Sequence, residues 1–173
     1  MNQTDLAPQI DYLYWLRDRI LAQAARLEPD AWTTTDTVTS RDLRATLVHE
    51  LDVELSWRER LRGGLPEDWR DVALAPEDYP TLETLADRWR ADEVEMRAWL
   101  AGLGEDGLAA PVTVNGMWGF PLWVHLLHVL DHGIQSFSEA AVLLSAAGHS
   151  PGDLDFLDFY DTPERRAEAA AAG

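Results

Sequence analysis

Four long stretches of this 173-residue chain repeat apolar side chains at the i, i+3, i+4 spacing of an amphipathic helix, and glycine or proline interrupts the chain between them. The first runs from Gln9 to Leu27, with Ile10, Leu13, Tyr14, Arg17, Ile20, Leu21, Ala24 and Leu27 on one stripe, and stops at Glu28-Pro29-Asp30. The second opens on the capping signature Thr39-Ser40-Arg41-Asp42 and reaches Leu61 before Gly63-Gly64, with Leu43, Leu47, Leu51 and Leu55 as its stripe. The third starts after Pro80 and runs to Leu100 through Leu82, Leu85, Trp89 and Met96. The fourth begins near Pro121 and ends at Ala147, with Gly148 as its stop. Helices with one apolar stripe each bury it against a common axis, so the expected fold is all-α, a four-helix bundle. The connections exceed the about 2–8 residues that up-down bundles need, which predicts a crossover connection.

Two smaller features decorate this plan. Val112 to Trp118 places β-prone residues on both sides of Asn115-Gly116, a hairpin-like loop before helix four. Beyond Gly148, acids alternate with Leu154, Phe156, Leu157 and Phe159, a segment expected to pack back on the bundle. The expected organisation is one domain over residues 1–160 and a tail over 161–173, frayed or disordered from Glu164 onward.

Charge narrows the function classes. Fourteen basic against 31 acidic residues give a net charge of −17, which disfavours nucleic acid and anionic membrane surfaces as partners. All basic residues are arginine, so no lysine is available for Schiff-base or Walker-type chemistry. The absence of cysteine removes thiol nucleophiles and Cys–zinc sites. No signal-like start and no uninterrupted apolar run of membrane-spanning length is present, so a cytoplasmic location is expected.

The chemistry gathers on helix four. At about 100° per residue, His125, His128 and His132 fall within an arc of about 60°, beside an apolar face built on Leu122, Leu126, Leu130, Ile134 and Phe137. Convergent neutral imidazoles are what a divalent metal needs; a solvated polar stripe is the plain alternative. Glu139 shares the arc but lies too far along the axis to complete a compact site. In helix two, His49 lies off the leucine stripe, in line with Val53 and Trp57, which places it half-buried between helices. Asp92 and Glu93 flank the helix-three stripe, either as solvated carboxylates or as acceptors for a ligand histidine. Trp57, Trp118 and Trp123 lie near the histidine face in sequence, as core packing or as the walls of a cleft.

The motifs Leu47-Val48-His49-Glu50-Leu51, Leu122-Trp123-Val124-His125-Leu126-Leu127-His128-Val129-Leu130-Asp131-His132-Gly133 and Ala147-Gly148-His149-Ser150-Pro151-Gly152-Asp153-Leu154-Asp155 resemble, in this order, those of the DinB-like (DinB/YfiT) superfamily. The likeness spans Asp11 to Tyr160. It implies a four-helix bundle with a crossover, a homodimer, and a three-histidine site for a divalent metal, zinc or nickel. Carried over position by position, the ligands fall on His49 and His132, and the third on Ser136, where this chain lacks the histidine. Either His128, one turn before His132, replaces the missing leg, or the site is weakened.

The activities implied are metal-dependent thiol S-transfer, with a low-molecular-weight thiol as cosubstrate, and metal-dependent hydrolysis of a small-molecule substrate. Both use an open metal position to lower the pKa of a bound thiol or water. The alternatives are a non-catalytic bundle that binds a small apolar ligand in a tryptophan-lined cleft, and a stress-related dimer.

Overall fold

Asn2 sets the start of the first helix. Its side chain accepts from the Asp5 amide at 2.8 Å while the Asp5 carboxylate accepts from the Asn2 amide at 3.1 Å, a reciprocal cap that fixes the first turn. In the computed structural model, which describes residues 1–35, 39–63, 73–114 and 116–172, helix α1 therefore spans Gln3–Ala24. It begins earlier than the Gln9 expected from periodicity, because the cap and not the first apolar repeat nucleates it.

Helix α2 (Leu43–Leu61) is capped by Asp42, which accepts from the Ala45 amide at 2.7 Å. Thr39, the expected cap, instead donates its hydroxyl to the Arg41 carbonyl. Helix α3 (Leu82–Ala101) starts at the Thr81 cap. A short helix, α4 (Glu105–Ala109), leads into the hairpin of β1 (Pro111–Val114) and β2 (Met117–Pro121), antiparallel with Val112 opposite Phe120. Gly116, at φ 71°, takes the left-handed turn position; Asn115 lies outside the described residues.

Strand β2 runs directly into α5 (Leu122–Ala146) through the extended backbone of Pro121. Gly148, at φ 82°, ends that helix, and the His149 amide returns to the Leu144 carbonyl at 2.8 Å. Helices α6 (Phe156–Tyr160) and α7 (Pro163–Ala172) follow. The post-bundle segment docks on α1: Tyr12 donates to the Leu154 carbonyl at 2.5 Å, and its ring meets Phe156 edge-on at 5.1 Å. Arg19 donates to the Pro151 carbonyl at 2.7 Å.

Helix α5 packs against both α2 and α1, and α3 closes the opposite side by packing against the same two. Helices α1 and α2, consecutive in the chain, thus lie across the bundle from one another, which makes their connection the expected crossover. The core is continuous through Leu13, Ile20, Leu47, Leu51, Leu85, Trp89, Met96, Leu126 and Phe137. Trp89 stacks on Phe137 at 5.7 Å between centroids. Among the described residues no helix is long and apolar enough to cross a membrane.

Helix α2 buries more than leucines. Glu50, Glu54 and Arg58, at spacing four, are each almost completely inaccessible. Arg58 meets the equally buried Asp92 at 2.5 Å and also donates to its carbonyl. Asp92 therefore belongs to the α2–α3 interface and is not a solvated carboxylate. Removing one partner of such a pair costs about 3–5 kcal/mol because the other charge stays buried. Glu54 accepts from the Trp89 indole at 3.1 Å, and burial, with Glu50 and Asp92 near, pushes its carboxyl well above the ordinary range.

The folded state thus holds a proton on Glu54 that the unfolded chain releases, and stability falls as pH rises from the unfolded carboxyl value toward the folded one. Glu54→Gln keeps an acceptor for Trp89 and removes the titration. Thermal unfolding of this variant should shift up by about 2–4 °C at pH 7.5, the change that ~1 kcal/mol gives a chain of this size. The gain should shrink as pH approaches the unfolded carboxyl value.

Gly133 sits in the middle of α5, where alanine would ordinarily favour the helix. Here an added Cβ would collide with Leu13 Cδ1 and lie 3.0 Å from Glu50 Oε1. Overpacking of this kind costs about 1–3 kcal/mol, more than the ~1 kcal/mol that helix propensity returns. Gly133→Ala should lower the urea midpoint, which equilibrium denaturation measures directly.

Candidate functional site

Helices α2 and α5 run antiparallel along one groove: Trp57 meets His125 and His128 at one level, and His49 meets His132 further along. The expected separation of a histidine face from the core is only partly realised. His125 is buried and donates to the Val112 carbonyl at 3.0 Å, tying α5 to the hairpin. His132 is half-buried, and His128 is exposed at the groove's edge.

The structure brings His49 and His132 together, with ring centroids 5.2 Å apart. His132 is oriented by Glu50, whose Oε2 accepts from Nδ1 at 2.6 Å. Glu50 is fully buried, so this contact joins α2 to α5 through a medium that screens poorly. The hydrogen bond to Glu50 raises the His132 imidazole above its ordinary value, outweighing burial. On the partner side, burial pushes the Glu50 carboxyl up against the pull of the His132 ring. His49 goes the other way: burial, then the Arg41 guanidinium and His132, lower it.

Ser136 Oγ stands 3.5 Å from the same Nδ1 that serves Glu50. A hydroxyl–imidazole–acid relay needs the hydroxyl and the acid on opposite ring nitrogens, so Ser136 is not an activated nucleophile. His128 has its centroid 6.4 Å from that of His132, with its ring packed edge-on against Trp57 at 4.9 Å. Beside it lies a cavity of about 250 Å³ lined by Trp57, Phe120, Val124, His125 and His128. Its walls are apolar and aromatic apart from the two imidazoles. Trp123 does not line it, and the Trp118 side chain falls outside the described part of the molecule.

A family model described as the DinB family matches residues 1–167. The chain belongs to the DinB family. The conserved protein of a locus from Enterococcus faecalis has a solved structure similar to this one, with a TM-score of 0.59 at 17% sequence identity, over 84% of this chain and 97% of that one. At that identity the likeness is one of fold. No curated protein matches the chain.

Whether this DinB-family site suits a metal depends on its donors. With Zn–N distances of about 2.0–2.1 Å and a ring centre ~1.1 Å behind each nitrogen, two imidazoles on one tetrahedral ion have centres ~5 Å apart. The His49–His132 spacing of 5.2 Å satisfies that, and Glu50 on Nδ1 leaves Nε2 of His132 as the nitrogen for a ligand. The third leg does not follow. Ser136 offers a neutral hydroxyl on the Nδ1 side, and among the described residues no three His, Cys, Asp or Glu side chains form a metal-holding group. The residues fit two legs of a three-legged centre.

Glu50 was invisible to motif reasoning, which looked to Asp92 and Glu93 for a carboxylate behind the histidines. Asp92 is engaged by Arg58, and Glu93 pairs with Arg17 and Arg97 at 2.7 Å each. The available signal was an acid three residues after Leu47, on the arc that should be apolar. In Glu50→Gln the hydrogen bond loses its charge. The His132 titration midpoint, followed by imidazole proton NMR, should lie above the ordinary ~6.5 in the native protein and fall in the variant. The pair's stabilising contribution is fully present below that ordinary value and is lost as pH rises through the native midpoint.

Proposed function

We propose that the protein is a DinB-family binding module: the α2–α5 cleft takes up a small apolar or aromatic molecule, above a two-histidine remnant of a metal centre. The carrying observation is the juxtaposition of the His49–His132 pair, with serine at the third position, and the aromatic cavity one turn away. Two neutral imidazoles fall short of the three protein ligands of a catalytic zinc site, whereas a concave apolar pocket with a few polar groups is the ordinary form of a small-molecule site.

One observation favours a second reading, metal-dependent thiol transfer or hydrolysis: His128 lies one turn from His132 at 6.4 Å and is the residue that would serve as third leg. Calorimetric titration of zinc and of nickel into untagged protein separates the two. The binding-module reading expects weak native binding, at least a tenfold gain in Ser136→His, and no change in His128→Ala. The enzyme reading expects tight native binding that His128→Ala abolishes. Tight binding indifferent to His128→Ala would overturn both.

A further inference from the structure

Of the two imidazoles on the aromatic cavity, only one is buried. His128 is exposed, whereas His125 is 4% exposed and has its Nε2 3.0 Å from the Val112 carbonyl. A carbonyl only accepts, so Nε2 carries the proton, and in the neutral ring Nδ1 is left as a bare acceptor. Nδ1 has no hydrogen-bond partner among the described residues, yet it is not sealed in the interior. Since His125 lines the cavity, a donor can reach Nδ1 from there.

The same contact places an aromatic wall. Val112 on β1 is the residue paired with Phe120 on β2, so its hydrogen bond to His125 holds Phe120 against α5. The Phe120 and His125 rings are 6.1 Å apart between centroids. Trp57 stacks on His125 at 5.9 Å, and the Arg60 guanidinium lies 5.4 Å from the Trp57 centroid. The rings thus order one another before anything binds, which lowers the cost of taking up a ligand.

Size and surface restrict the occupant further. The volume of about 250 Å³ falls below the about 300–1,000 Å³ of sites for drug-sized ligands, so one or two fused rings fill it. Val124 is the one aliphatic side chain among the described lining residues; the other walls are π surfaces, which suit a flat arene. An arene without a donor would strip water from Nδ1 and leave it unpaired, a penalty that discriminates more sharply than fit alone. His128, open to solvent, keeps its water in either case.

We propose that the cavity is specific for a small neutral arene bearing an N–H or O–H donor, laid against Trp57 and Phe120 with its donor on His125 Nδ1. This deepens the reading of the cleft as a small-molecule site and rests on it.

The test uses indole and its isostere benzofuran, which has no donor, each titrated calorimetrically into the native protein at about pH 8, above the ordinary imidazole range. Indole should bind at least tenfold more tightly than benzofuran. In protein with nitrogen-15 in its histidines, indole should move the Nδ1 resonance of His125, and benzofuran should leave it in place. His125→Phe, which keeps a ring in the wall, should bring the two compounds to equal affinity, and Trp57→Leu should weaken both. Circular dichroism checks that each variant is folded, and the resonance in the native protein decides the matter if His125→Phe is not. Benzofuran binding as well as indole, an unmoved Nδ1 resonance, or a preference that survives in folded His125→Phe would overturn the donor assignment while leaving the cleft as a binding site. Failure of both compounds to bind would overturn the assignment and the reading beneath it together.

Discussion

The Glu50–His132 hydrogen bond depends on a glycine. Helix α5 can lie close to α1 and α2 only because Gly133 presents no Cβ to Leu13 and to the Glu50 carboxylate. That close approach carries Glu50 to within 2.6 Å of the imidazole one residue before the glycine. The pair is at once the polar seam between α2 and α5 and the element that fixes which way His132 faces. A histidine held this way presents one nitrogen outward in a defined direction, whatever then occupies the groove.

Burying that carboxylate has consequences along α2. Glu50, Glu54 and Arg58 occupy successive turns of a face that an ordinary bundle fills with leucine. They are answered from two neighbouring helices: Glu50 by His132 on α5, and Glu54 and Arg58 by Trp89 and Asp92 on α3. Polar partners are directional where apolar ones are not, so these contacts fix the rotation and axial position of α2 against its neighbours. Glu54, answered by an indole, stays neutral by keeping its proton. Bundle register and site geometry are therefore set by the same three side chains.

The four long helices were legible because apolar periodicity and turn chemistry are local. The stripes on α1, α3 and α5 reappear as core, and Gly148 stops α5 by the left-handed conformation that glycine favours. Expectations failed where a polar side chain overrode the pattern. Asn2 starts α1 ahead of its first apolar repeat, and Asp42 caps α2 in place of Thr39. Ile134, counted on the apolar face of α5, is 39% exposed, while Ser136 is buried. The core-facing arc is rotated toward the histidines, with His125, Gly133 and Ser136 buried on it. Asp92 looked like a surface acid for the same reason that Glu50 went unnoticed: sequence does not show which charges find partners in the interior.

What the sequence determined by itself was the number and order of the long helices, the hairpin before the last of them, the family likeness, and the histidines worth watching. Each follows from spacing along one helix or from short motifs. The likeness had already set His49 and His132 at one site, where the structure brings their rings together; only the tertiary structure decided that Glu50 orients His132 and that His128 turns to Trp57. Those facts join residues about eighty positions apart, and they depend on how two helices approach across a glycine. Periodicity says which face of a helix turns inward; it carries no information about the partner that the face will meet.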